Sequence, residues 1–168
     1  MVAIRRGQGA DREGRACVED RIEQRIAIRA GHDEVWQLVT RPGWWLPGSR
    51  MAPARNPGRV SVGYNGDQRP YVIDVVRVEP PSYVAFRWAS AFGGGAPVSR
   101  RSTLVEFYVR PVGDEIGVTM VESGFASLDL PEAVREDEWK GNAGGWQYEL
   151  AGLRALAERD QAIAAARA

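Results

Sequence analysis

The hydrophobic pattern of this chain changes period near residue 131, and that change dictates most of its architecture. Before it, apolar residues recur at every second position in run after run. Ile22, Ile26 and Ile28 share one parity in 21–29, and Val84, Phe86 and Trp88 do so in 83–88. Val105, Phe107 and Val109 follow in 103–110, then Ile116, Val118 and Met120 in 115–122. Such alternation marks strands with one buried face. After the change, Trp146, Leu150, Leu153 and Ala157 recur at intervals of four, three and four. That is the stripe of an amphipathic helix, taking over from about Trp139. A meander of strands has one face to cover, and the terminal helix carries the stripe that covers it. The expected fold class is α+β: a curved antiparallel sheet of about six strands wrapped around a long C-terminal α-helix, with short helices after the first strand.

The punctuation between the runs is equally informative. Asp33 and Glu34 open a helical spacing of Val35, Trp36, Leu38 and Val39 that must stop before Pro42. Trp44, Trp45 and Leu46 then sit in a short segment of prolines and glycines. A strand is expected over 59–64 and a stronger one over 71–78. Both parities of 71–78 are apolar, so the side on which Asp74 lies stays open. Pro80-Pro81 forces a turn. Gly93-Gly94-Gly95-Ala96-Pro97 reads as a loop with little restraint on its backbone. Residues 1–19 read as a flexible leader, 20–160 as one domain, and 161–168 as an Ala-rich tail that extends the helix or frays.

Composition narrows the function classes. Twenty-two basic residues balance 22 acidic ones, so no net field draws a polyanion, and neither nucleic acid nor a membrane span is expected. Arg5, Arg6, Arg12 and Arg15 form a local basic stretch, read as a solvated tail. Cys17 is the single cysteine and His32 the single histidine, which leaves no disulfide and no ligand set for a transition metal; no metal or other cofactor is expected. The N-terminus lacks an apolar signal core and no apolar run approaches membrane length, so the expected location is the cytoplasm. Neither a nucleophile elbow nor a P-loop is present.

The order and spacing of four motifs resemble a known family. Asp33-Glu34-Val35-Trp36 is followed by Trp44-Trp45, and Glu79-Pro80-Pro81 by Val84-x-Phe86-x-Trp88. Ser102-Thr103-x-Val105-x-Phe107 pairs with Ser123-Gly124-Phe125, and Gly145-Trp146-x-x-x-Leu150-x-x-Leu153 starts the long helix. Together they resemble the START-like superfamily with the helix-grip fold, in the branch named after the activator of Hsp90 ATPase homologue and the polyketide cyclases. The likeness covers roughly 20–159. It implies the fold and not one function, because the superfamily hosts lipid carriers, cyclases, hormone receptors, stress proteins and co-chaperone fragments. The chain departs from the family at 93–97, at the Pro/Arg-rich 52–57 and in its leader.

Two groups of residues are candidates for function. Glu122 shares the apolar parity of Ile116, Val118 and Met120; it either lies inside as a polar handle or ends the strand at the rim. An acid–base pair of Glu122 with Asp74 or Tyr71 would serve an enzyme, although spacing does not bring them together. Trp36, Trp44, Trp45, Phe86, Trp88, Phe107, Met120, Phe125 and Trp146 are candidates for the walls of an apolar cavity between sheet and helix. Trp44, Trp45 and Phe125 lie in connections, where they would rim its entrance. The first expectation is thus a binding module for a small hydrophobic or amphipathic ligand. The alternatives are a cyclase- or hydrolase-type enzyme on a polyketide-like substrate, although no catalytic constellation is evident, and a protein-interaction module, including a homodimer.

Overall fold

The computed structural model describes residues 20–63 and 69–167. The leader with Cys17 and its arginines lies outside these residues, as does Tyr64. Six strands form one antiparallel sheet: β1 Arg21–Ile28, β2 Gly58–Val62, β3 Tyr71–Glu79, β4 Tyr83–Trp88, β5 Thr103–Val112 and β6 Glu115–Ser123. Their order is β1-β6-β5-β4-β3-β2. The last five strands are a meander, and the first strand returns to pair with the last. Helix α1, His32–Val39, follows β1, and α2, Glu132–Ala166, crosses the concave face of the curved sheet. The helix-grip architecture is the one the change of period predicts.

The inward parities are those of the sequence. Ile116, Val118 and Met120 on β6, Val105, Phe107 and Val109 on β5, and Val84, Phe86 and Trp88 on β4 are all buried. The ambiguous strand β3 has a simple cause. A β-bulge between Val75 and Arg77 shifts its register, so no single parity fits its length. Ile73 and Val75 point inward before the bulge. Asp74 therefore points outward, where Arg59 on β2 donates to its two carboxylate oxygens at 2.6 and 2.8 Å.

Three expectations change. First, α2 begins at Glu132, directly after Pro131 as N-cap, and not near Trp139. Its opening turns, rich in Glu, Ala and Arg, are mostly exposed; they are good helix formers that need no apolar stripe. The helix also continues through Ala166. Second, the glycine loop is tightly held. Gly94 donates to Ala89 and accepts from Val72. Its φ is +73°, and a Cβ there would lie 2.2 Å from the Tyr71 ring. Close approach of an aromatic ring, more than backbone freedom, demands glycine here. Third, the Trp44-Trp45 segment folds inward. Gly43 at φ +66° allows Leu46 to donate back to its carbonyl, and this turn carries Trp45 into the core, where it is 4% exposed.

Candidate functional site

The inner face of the sheet carries a file of polar residues beside its aromatic ones. Glu122 is fully buried. It faces its cross-strand neighbours Ile22 and Val105, so the inward alternative is the correct one. Four side chains donate to its carboxylate. Trp88 Nε1 at 2.9 Å and Thr103 Oγ1 at 2.6 Å reach Oε1. Trp146 Nε1 reaches Oε2 at 2.6 Å, and Asn142 Nδ2 spans both oxygens at 3.1 and 3.2 Å.

The geometry follows from two elementary spacings. Trp88 and Thr103 are direct cross-strand partners on β4 and β5. Asn142 and Trp146 are one helical turn apart, and so lie on one face of α2. The carboxylate therefore ties three strands to the helix. Burial pushes the Glu122 carboxyl above the ordinary carboxylate range, and the four donors pull against that shift. A second tie lies beside it: Gln24 on β1, also buried, donates to the Ala143 carbonyl at 2.7 Å.

The rings fill the space next to these ties. Trp45 packs on Phe86, Trp88 and Trp146 with centroids 5.6, 5.6 and 5.4 Å apart. Phe107 lies 5.9 Å from Trp146 and 5.5 Å from Trp44. Met120 is opposite Phe107 in the register. Six of the expected wall residues, with Met120, thus form one contiguous body between sheet and helix. Trp45 and Phe125 are buried within the core and are not at a rim. Trp36 belongs to the same core cluster but lines a different cleft, with Thr40, Pro53 and Pro80. Among the described residues, it makes no ring pair.

A cleft of about 170 Å³ opens on the flank of this body. Trp44 is its inner wall, Leu38 and Leu153 supply apolar surface, and Arg41 and Glu149 face it from α1's end and from α2. Here the hydrogen bonding is incomplete. The indole N–H groups of Trp44 and Trp45 and the Nε–H of Arg41 are buried without an acceptor. Glu149 has no hydrogen-bond partner among the described residues, and burial pushes its carboxyl upward. The interior thus has four central indoles of two kinds: Trp88 and Trp146 satisfied by Glu122, Trp44 and Trp45 unsatisfied.

The proposed pairing of Glu122 with Asp74 is not assembled. Asp74 is on the outer face with Arg59, and Glu122 is on the inner face with its oxygens engaged. The Tyr71 ring packs over Gly94. Sequence reading missed Thr103, Asn142, Gln24's partner and the Arg41–Glu149 cleft. Thr103 and Asn142 were detectable. Thr103 shares the parity of Val105 and Phe107, and Asn142 extends the helical stripe one turn before Trp146. Two polar residues on inward faces, opposite an inward carboxylate, are a recognisable pattern.

The model for the family described as "Activator of Hsp90 ATPase homolog 1-like protein" matches residues 29–158. The chain belongs to this family. The matched stretch contains every donor to Glu122 and the whole aromatic body, as well as the Trp44 cleft. No curated protein matches the sequence. Solved structures share the fold of this family member at low identity. DynU16, a protein of the dynemicin biosynthetic locus, is 24% identical with a TM-score of 0.64, covering 85% of this chain and 49% of its own. The chain therefore spans about half of DynU16. MLL2253 from Mesorhizobium loti is 20% identical with a TM-score of 0.63, covering 83% of this chain and 97% of its own. The Aha1 dimer from Colwellia psychrerythraea is 19% identical with a TM-score of 0.56, covering 82% and 96%. No helix among the described residues is long and apolar enough to cross a membrane.

Proposed function

We propose that this chain is a cytoplasmic binding module for a small amphipathic molecule, held in the cleft between the end of α1, the Trp44-Trp45 turn and α2, because the rings already fill the space between sheet and helix. The observation that carries this reading is the pair of buried indole N–H groups without acceptors. Buried donors are rarely left unpaired, because each costs about 1–3 kcal/mol when orphaned. A molecule bound in the cleft and carrying an oxygen would satisfy the Trp44 donor that lines it, while the apolar side chains of the cleft would take its apolar part. A binding role is favoured over a cyclase- or hydrolase-type one by Glu122, which is fully buried behind its four protein donors and does not line the cleft, so a substrate there does not reach it.

The test is a panel of fatty acids, lipids and oxygenated aromatics, read by thermal shift and by tryptophan fluorescence. A saturable change with at least one class supports the reading, and a flat response to all of them overturns it. A homodimer, the state named for the Colwellia protein, is a separate expectation; a mass near 18.5 kDa by light scattering at high concentration would overturn it.

A further inference from the structure

We infer that the cleft beside Trp44 is a subsite for a single aromatic ring that carries a carboxylate or carbonyl oxygen at one end and a hydroxyl group at the other. This inference rests on the binding reading above and names its ligand class. The cleft measures about 170 Å³, well below the roughly 300 Å³ at which pockets for drug-sized ligands begin. It therefore suits one ring and not a lipid chain.

Its chemistry is two-sided. Arg41 and Trp44 line the cleft, and each carries a buried N–H donor that lacks an acceptor. Neither has a counterpart among the described residues, and Arg41 forms no ion pair with Glu149 across the cleft. An oxygen with negative or partial negative charge is what an unpaired guanidinium and an indole N–H jointly recognise. Across the opening, Glu149 offers oxygens with no protein donor, so a ligand hydroxyl would be its complement. Between them Leu38 and Leu153 supply an apolar surface, and the Trp44 indole supplies a face on which a ring can pack. Gly152 lines the cleft, and a Cβ built there meets nothing within 4 Å, so a larger side chain at this position has open space to fill.

The probe is 4-hydroxybenzoate, compared with benzoate, phenol and toluene, on the full chain. The readout is the Trp44 indole N–H signal in a nitrogen–proton correlation spectrum, assigned by its loss in Trp44→Phe. The expected result is a saturable shift of that signal with 4-hydroxybenzoate. Benzoate and phenol should bind more weakly, each by about tenfold, the loss of one charge-assisted hydrogen bond, and toluene weakest. Arg41→Gln should weaken 4-hydroxybenzoate by about tenfold or more, with partial recovery in Arg41→Lys. Gly152→Leu should abolish the shift while the protein stays folded, because it fills the cleft and replaces a helical glycine by a better helix former. Equal affinity for toluene and 4-hydroxybenzoate, or indifference to Arg41→Gln, overturns the inference. If the wider panel binds but none of these probes moves the Trp44 signal, this subsite fails and the binding reading stands. If neither panel binds, both fail.

Discussion

Glu122→Gln changes one oxygen to an amide group and almost nothing in volume, so it isolates the electrostatics of the buried carboxylate. Two effects compete. The amide escapes the cost of burying a charge, which would make the variant more stable. Against this, a glutamine has a single acceptor oxygen, whereas Trp88 and Trp146 donate to different oxygens at 2.9 and 2.6 Å. Either orientation of the amide sets its NH₂ against one indole N–H. Thr103 can turn its hydroxyl to accept and Asn142 can serve either oxygen, but an indole N–H can only donate. One orphaned donor costs about 1–3 kcal/mol. The first effect acts only where the carboxyl is ionised, because a protonated carboxyl has no charge to bury. The protonated acid still accepts at both oxygens, and the amide does not.

The pH dependence separates the two terms. The folded pKa of Glu122 lies above its ordinary value of 4.5, burial being the main cause. A group of this kind contributes stability that is fully present below the unfolded pKa and is lost as pH rises through the folded one. The wild type should therefore lose stability from this site as pH rises from the ordinary value of 4.5 through the folded one, at no more than about 1.4 kcal/mol per pH unit, and Glu122→Gln should not. The variant is expected to be less stable by about 1–3 kcal/mol at pH 5, a lowering of Tm by roughly 2–12 °C for a chain of this size. The gap should narrow as pH rises. Urea unfolding followed by tryptophan fluorescence at several pH values measures both quantities. A variant more stable than wild type at pH 5, or two parallel pH profiles, would refute the reasoning.

Other outcomes follow from local geometry. Gly94→Ala should destabilise by about 2 kcal/mol or more in denaturant unfolding, because it combines a left-handed backbone with displacement of the Tyr71 ring. Gly144→Ala lies at an exposed position inside α2 with open space around its Cβ, so calorimetry should show a gain of about 0.8–1.0 kcal/mol. Phe107→Ala, which removes the ring touching Trp44, Trp45, Phe86 and Trp146, should cost about 3–5 kcal/mol by the same measurement. Asp74→Asn breaks only the partly exposed pair with Arg59 and should cost under about 1 kcal/mol, with ligand titrations unchanged; a large loss of binding would reinstate Asp74 in the site.

The fold was legible because period is a property of local sequence. Parity placed Phe86, Phe107 and Met120 inward, and also placed Glu122 on the inner face without deciding whether the strand had ended there. That decision depends on Asn142 and Trp146 arriving from a helix twenty residues later, which no local pattern reports. The β-bulge at Val76 hid the side of Asp74 for a related reason: one extra residue reverses parity and leaves no compositional mark. The inward fold of Trp44-Trp45 depends on the positive φ of Gly43, and the sequence shows a glycine there without its conformation. The start of α2 was missed because exposed helical turns have propensity but no stripe.

The two kinds of indole in the interior give the fold a division between holding and receiving. Glu122 fixes Trp88 from the sheet and Trp146 from the helix, so those two rings cannot turn without breaking their hydrogen bonds to it. Trp44 rests on this anchored body, with its ring 6.3 Å from Trp146 and 5.5 Å from Phe107, but its indole N–H has no acceptor. Trp44 also lines the cleft. A ring in that position can report a ligand without moving the core behind it. Loss of the Glu122 tie should then loosen the wall as well as the fold. In Glu122→Gln at pH 5, any ligand that shifts the Trp44 signal should bind several-fold more weakly even below the unfolding transition, whereas Gly94→Ala, at a distance from Trp44, should lower stability and leave that affinity unchanged. Equal loss of affinity in both variants would mean that stability alone, and not the Glu122–Trp146 anchor, governs the cleft.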